Sequence, residues 1–182
     1  SRLMVTQAVV FLVDAVISFF SALFLLRFYM QAFRVSFAGP LGHFVVTLTN
    51  WAAKPLRRVI PGMLGLDFAC LVAALALQAL FAGLLLGLGG QMFSLDGPGL
   101  ALGIVVAALR GVLRLSIYLL IGTLILQAVL SWVNPYSPVA APAYQLTRPF
   151  LDPIRRILPP ISGIDLSPLV AILLAQVVLM FI

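Results

Sequence analysis

Eleven basic residues and five aspartates carry the formal charge of this 182-residue chain, and four of the arginines stand in two near-copies of one phrase. "KPLRRVIP" covers Lys54–Pro61 and "DPIRRILP" covers Asp152–Pro159. A guanidinium is a permanent cation whose planar fork matches phosphate or carboxylate. Three uses of Arg57, Arg58, Arg155 and Arg156 follow from that chemistry. They can anchor on lipid phosphates, turn inward to hold the chain or a partner, or form an anion or substrate site. Asp67 and Asp165 lie nine or ten residues downstream of them, each after "GL" or "GI" and just before an apolar run. That is where a helix N-cap belongs, and a carboxylate there also suits the positive end of the helix dipole. An Arg–Asp pair across the same distance would fold the intervening loop back onto the helix, and both roles can coexist.

Other chemistry is scarce. There is no glutamate, one histidine (His43) and one cysteine (Cys70). An enzyme needs a poised base, nucleophile or metal. The sequence therefore predicts no catalytic residue, no metal site, no cofactor and no disulfide framework. A net charge of +6 would suggest nucleic acid in a soluble domain. Here the cations flank apolar runs, so anionic lipid headgroups are the expected partner and nucleic acid is not.

The elements that position these charges are read from hydropathy. The chain is 63% hydrophobic and 9% charged, with mean hydropathy +1.20. Soluble domains carry about a quarter charged residues. Ala8–Leu26, Phe68–Gly90 and Leu115–Val133 are each apolar over 19 residues or more, and Leu166–Ile182 is a fourth run of 17. About 20 such residues cross a hydrocarbon core as a helix. The first run is too long for a signal-peptide core and contains Asp14. The expected fold is an all-α membrane protein with spans at about 8–33, 67–90, 113–133 and 165–182.

Sliding the chain by 98 residues aligns it with itself without a gap, and 14 of the 39 positions from Pro40 to Gln78 are identical to their mates. Thr49, Pro55, Arg57, Arg58, Pro61, Asp67 and Gln78 match Thr147, Pro153, Arg155, Arg156, Pro159, Asp165 and Gln176. Residues 1–99 and 100–182 thus read as two units, each a span, a loop (34–66 or 134–164) and a span. An even number of spans per unit makes the repeat parallel, so both loops share one side. Eight cations lie on the loop side (Arg27, Arg34, Lys54, Arg57, Arg58, Arg148, Arg155, Arg156) against Arg2, Arg110 and Arg114 on the other. The positive-inside rule then predicts cytoplasmic loops and outside termini.

Each loop opens at a proline (Pro40, Pro138) with a segment too short to span and too apolar to be solvated; an interfacial helix fits, with Trp51, Tyr144 and Phe150 at headgroup level. The arginine phrase reads as a separate rigid turn opened by one proline and closed by the next. Leu100–Leu113 either lies along the outer interface or extends the third span. Asp14 maps by the 98-residue offset to position 112, between Arg110 and Arg114, which predicts an ion pair near the outer surface. Gln78 and Gln176 are expected to hydrogen-bond within the bundle.

The second copy reads Thr147, Pro149, Pro153, Arg155, Arg156, Pro159, Gly163, Asp165, Ser167, Pro168, and the first keeps Thr49, Pro55, Arg57, Arg58, Pro61, Gly65 and Asp67. With "LLRFYMQ" (Leu25–Gln31) and "AVLSWVNPYSP" (Ala128–Pro138), these residues resemble the YggT (YlmG) family of small bacterial and plastid membrane proteins. The first copy departs from the pattern at Trp51 and at Ala69-Cys70. The resemblance implies a membrane module associated with osmotic or potassium stress, with division-protein neighbours, and with cytochrome assembly and nucleoid distribution in plastids. It implies no shared catalytic activity. Two functions are then open. One is a scaffold or assembly factor that docks partners on its loops and self-associates through its Gly- and Ala-rich helices. The other is an oligomeric channel or transporter component, with a polar path lined by Gln78, Gln176, Asp14 and the arginines.

Overall fold

In a computed structural model of the protein, residues 1–88 and 97–182 are described, and they form six α-helices. These are α1 (Arg2–Ala32), α2 (Pro40–Val59), α3 (Phe68–Leu88), α4 (Gly97–Val133), α5 (Ala140–Ile157) and α6 (Ser167–Met180). Most of the expected outer turn, residues 89–96, lies outside the described residues. α1, α3 and α4 are each long and apolar enough to cross a membrane, whereas α6 has 14 residues. At 1.5 Å per residue α6 extends about 21 Å, short of a hydrocarbon core of about 30 Å. Leu100–Leu113 continues the third apolar run as one 37-residue helix.

α1 ends without a glycine. Arg34 takes the left-handed conformation (φ 56°), and the Val35 N–H reaches back to the Met30 carbonyl at 2.7 Å. This is a Schellman closure with arginine where glycine usually sits. Val35 then packs with Leu23, Met30, Val45 and Leu146 in a cluster that joins α1, α2 and α5. A second cluster gathers Phe24, Leu25, Ala53, Cys70, Ala73, Ala74 and Val112 between α1, α2, α3 and α4, and a third joins Leu124, Leu151 and Ala171.

The two loop segments are helices, but their prolines sit otherwise than expected. Pro55 and Pro153 lie inside α2 and α5, so the arginine phrase is the last turn of a longer helix rather than a separate turn. An interior proline removes one backbone hydrogen bond and crowds the carbonyl four residues before it, and α5 carries a second one at Pro149. The later prolines act as expected. A residue before proline is pushed to extended backbone, and Ile60 (φ −116°, ψ 93°) and Leu158 (φ −113°, ψ 98°) end the two helices there.

The buried stripes of the two helices correspond. α2 buries Val45, Thr49 and Ala53, and α5 buries Ala143, Thr147 and Leu151, each 98 residues on. The N-terminal half of α1, in contrast, is bare, exposing Leu3, Met4, Val5, Val9, Phe11, Leu12 and Val16.

Candidate functional site: two arginine–aspartate latches

After α2 and α5 the chain reverses twice by the same device. Leu64 and Gly65 have φ of 57° and 75°, and Ser162 and Gly163 have φ of 54° and 78°. Two successive positive φ values define a type I′ turn. Met63 pairs with Leu66 and Ile161 with Ile164 across these turns. Glycine occupies the second central position in both copies, where its lack of a Cβ makes a positive φ free of strain.

Each turn delivers an aspartate to the arginine ten residues before it. Arg57 donates through Nη2 to Asp67 Oδ2 and through Nε to Asp67 Oδ1 at 3.4 Å, so the contact is bidentate. Arg155 donates through Nε to Asp165 Oδ2 at 2.9 Å. Only the first arginine of each pair is used this way. Arg58 and Arg156 are exposed, as is Lys54. The motif therefore divides its labour, with one guanidinium closing the loop and the next facing outward.

The copies differ in burial. The Asp67 side chain is 4% exposed against 37% for Asp165. Asp67 stands immediately before α3 and also accepts from the Cys70 thiol at 3.2 Å. Asp165 is one residue too early to be the N-cap, which is Leu166, and it accepts from the Ser167 N–H at 3.0 Å instead. The Ser167-Pro168 pair in the first turn of α6 is the reason, since proline suits that position and sets the helix start one residue later than in α3. Arg155 has further company. Asp152 lies 3.8 Å away and the Tyr144 ring lies under its guanidinium at 5.6 Å. Asp152 also accepts from Arg148 at 3.2 Å.

Arg27, which in the sequence is only one of the loop-side cations, is a central tie. It is 5% exposed and donates to Thr49 Oγ1 at 2.8 Å and Asn50 Oδ1 at 3.0 Å, joining α1 to α2. Thr49 donates its own proton to the Val45 carbonyl, as Thr147 does to that of Ala143. Position 125, the mate of Arg27, is isoleucine, so the second unit lacks this tie.

The intramembrane residues do not assemble as expected. Gln78 does bond within the bundle, to Ser21 Oγ at 3.1 Å, and its Oε1 lies against Gly111, where a Cβ would come within 2.2 Å. Gln176 is exposed on α6. Asp14 is exposed and, among the described residues, accepts only from Ser18 at 3.1 Å; it pairs with neither Arg110 nor Arg114. Arg114 donates to the Ile182 carbonyl at 3.4 Å. Register explains the failed ion pair. Gln78 brings Ser21 level with Gly111, an offset of 90, and Tyr29 Oη donates to Ser116 Oγ at 2.8 Å, an offset of 87. The repeat offset of 98 therefore does not give the depth of α4 beside α1. Asp14 is seven residues, about 10 Å, beyond the level of Gly111.

Burial, the largest single effect, raises both aspartates, but the opposing contacts together leave each net below the usual carboxylate range. For Asp67 these are the Arg57 and Cys70 hydrogen bonds; for Asp165 they are Ser167 and then Arg155. The Asp67 hydrogen bond in turn raises Arg57 against the opposing effect of burial. A carboxyl depressed in the folded state binds fewer protons there than when unfolded, so its stabilisation is present above the unfolded value of about 3.9 and is lost as pH falls through the folded value. Amide exchange across residues 60–66 and 158–164 is expected to stay slow from neutral pH down to about pH 5. Once the intrinsic pH dependence of exchange is divided out, it should quicken below about pH 4. Unchanged protection at about pH 2.5 would remove the carboxylates from any role in closing these turns.

The chain is similar to known proteins over most of its length. The chain is 34% identical over 182 residues to the uncharacterized protein PA0392 of Pseudomonas aeruginosa, covering 96% of this chain and 88% of the relative. It is 36% identical over 169 residues to the uncharacterized protein YggT of Escherichia coli K12, covering 92% and 85%. It is 36% identical over 162 residues to an uncharacterized protein of Vibrio alginolyticus from the proC 3′ region, covering 88% and 85%. No solved structure matches it. The CCB3/YggT family model matches residues 6–88 and 106–182, and with the relatives above it shows that the chain belongs to the CCB3/YggT family.

Proposed function

We propose that this protein is a non-enzymatic, multi-pass component of a bacterial inner membrane that serves as a scaffold or assembly factor. In this reading α1, α3 and α4 cross the bilayer and α6 completes the second of two duplicated units. α2 and α5 lie as amphipathic helices at the cytoplasmic surface. The observation that carries the reading is the division within each arginine pair. Arg57 and Arg155 are spent on closing the loops, which leaves α2 and α5 held in place while Lys54, Arg58 and Arg156 face outward. A held surface with free guanidinium groups suits docking of anionic headgroups or of an acidic face on a membrane partner, such as a division or assembly protein. The recurrence of turn, latch and buried stripe 98 residues apart supports two copies of one such element.

A channel or transporter role makes a different demand, so flux separates the two. Purified protein in liposomes should leave potassium permeability at the level of empty vesicles, both for the parent chain and for a variant with Arg57, Arg58, Arg155 and Arg156 changed to Gln. Potassium flux through the parent that this variant alters would overturn the scaffold reading.

A further inference from the structure

We propose that two copies of this chain associate in the membrane, with Asp14 of each copy paired to Arg110 of the other along a groove on α4. Gly111 packs against Gln78, ten residues into α3 from Phe68. Ten residues of helix are about 15 Å, half of a hydrocarbon core of about 30 Å. Arg110 therefore stands beside the middle of a membrane-spanning helix, and it is exposed. No ion pair satisfies it among the described residues. A charge at that depth is costly unless it meets a partner or a water-filled cavity.

Asp14 poses the complementary problem. It interrupts the bare, apolar N-terminal half of α1, and among the described residues its only bond is to the Ser18 hydroxyl one turn away. One unpaired anion and one unpaired cation, both exposed within membrane-spanning helices of the same chain, are complementary between copies even though the fold keeps them apart within one.

The geometry permits the meeting. Gln78 faces Gly111 and Gly83 faces Ile104, so α4 runs antiparallel to α3 and in the same direction as α1. With Ser21 level with Gly111, Asp14 falls at about the level of Ile104, next to Gly103. Gly103, Val106, Ala107, Arg110, Gly111 and Arg114 line a groove of about 280 Å³ on α4. Gly103 and Ala107, both exposed, stand four residues apart, the spacing that lets a second helix approach closely in lipid, while Gly111, next in the series, packs on Gln78 of α3. Side chains on a helix lean toward its N-terminus, so Arg110 leans along the groove toward the level of Asp14. A two-fold axis along the membrane normal keeps equal residues at equal depth and forms the pair twice, once from each copy. Phe11, Asp14 and Ser18 share one stripe of α1, so an aromatic ring and a hydroxyl enter the groove with the carboxylate. The pairing depends on α1, α3 and α4 crossing the membrane and is indifferent to the scaffold role.

A charge exchange between chains tests it. Full-length protein carrying donor or acceptor dyes is reconstituted in lipid vesicles, and energy transfer is followed as lipid dilutes the protein. The parent should associate, and Asp14→Arg or Arg110→Asp alone should weaken association by roughly tenfold or more. Mixing the two variants should restore it. The arginine introduced on one chain then meets the aspartate introduced on the other, while the second contact keeps its native Asp14 and Arg110. Mixed pairs should therefore exceed self-pairs. Asp14→Asn and Arg110→Gln, with helicity checked by circular dichroism, give the same test if a reversed charge prevents insertion; each should weaken association in a folded chain. A parent that stays monomeric at high protein-to-lipid ratio would overturn the proposal, as would single variants that associate like the parent. Rescue by both substitutions on one chain but not by mixing would place the pair within a chain and overturn it as well.

Discussion

Changing Arg57 to Gln is expected to destabilise the protein by about 2 kcal/mol, and the same change at Arg155 by less than about 1 kcal/mol. The two arginines hold identical places in the repeat, so the difference comes from their surroundings. Loss of Arg57 leaves Asp67, 4% exposed, as a desolvated carboxylate whose remaining partners are the Cys70 thiol and backbone. Removing one member of a fully buried pair costs about 3–5 kcal/mol, and the value here is smaller because Arg57 is itself 41% exposed. Asp165 is 37% exposed and reaches water when Arg155 is lost, which places its pair among surface ion pairs. A double substitution makes the cause visible. Asp67→Asn should recover part of the loss in the Arg57→Gln background, since a neutral amide has no buried charge to strand. The check is thermal unfolding of all these variants in one detergent, with exchange across residues 60–66 as the local readout. Equal losses at Arg57 and Arg155, or no recovery from Asp67→Asn, would show that burial does not set the strength of these latches.

The latches are largely legible in the sequence, because the same phrase stands in it twice, 98 residues apart. A match of proline, paired arginine, glycine and aspartate at one fixed spacing points to a repeated local structure, and a ten-residue separation closed by a turn is a local matter. The positive φ at Gly65 and Gly163 belongs to the same class of signal. What stays hidden depends on long-range packing. Arg27 reads as one more cation at the end of an apolar run, and only the arrival of Thr49 and Asn50 from α2 makes it a buried tie. Setting Asp14 opposite position 112 assumes that the repeat offset gives depth. The close approach of Gly111 to Gln78 sets a different register, and no pattern within α1 or α4 encodes it. Gln176 shows the limit from the other side. It matches Gln78 in sequence, yet Gln78 is half-buried where α4 packs over α3, whereas Gln176 is exposed on α6.

Replacing Gly42 with Ala is expected to cost about 2–3 kcal/mol, near the upper end for overpacking. Gly42 lies in the first turn of α2, where helix propensity alone would favour alanine by roughly 1 kcal/mol. The close approach of the preceding loop reverses that preference. A Cβ on Gly42 would lie 2.3 Å from the Phe37 carbonyl oxygen, 2.4 Å from its Cα and 2.5 Å from its carbonyl carbon. These are backbone atoms, so no rotamer change relieves the clash, and either the loop or the start of α2 must move. Both are tethered. Two residues before Phe37, Val35 is buried against Met30 and Val45, and its N–H closes the end of α1. Leu146 of α5 joins the same cluster, so the strain would spread from the first unit into the second. Gly39 supplies the control three residues away. It has an ordinary φ of −82° and nothing within 4 Å of an added Cβ. Gly39→Ala should therefore cost less than about 1 kcal/mol, the loss expected when alanine replaces glycine at an uncapped helix start. Unfolding of the two variants side by side decides the matter: similar stability for both would mean that the α1–α2 connection yields freely, and that the packing of Val35 and Gly42 does not hold α2 against α1.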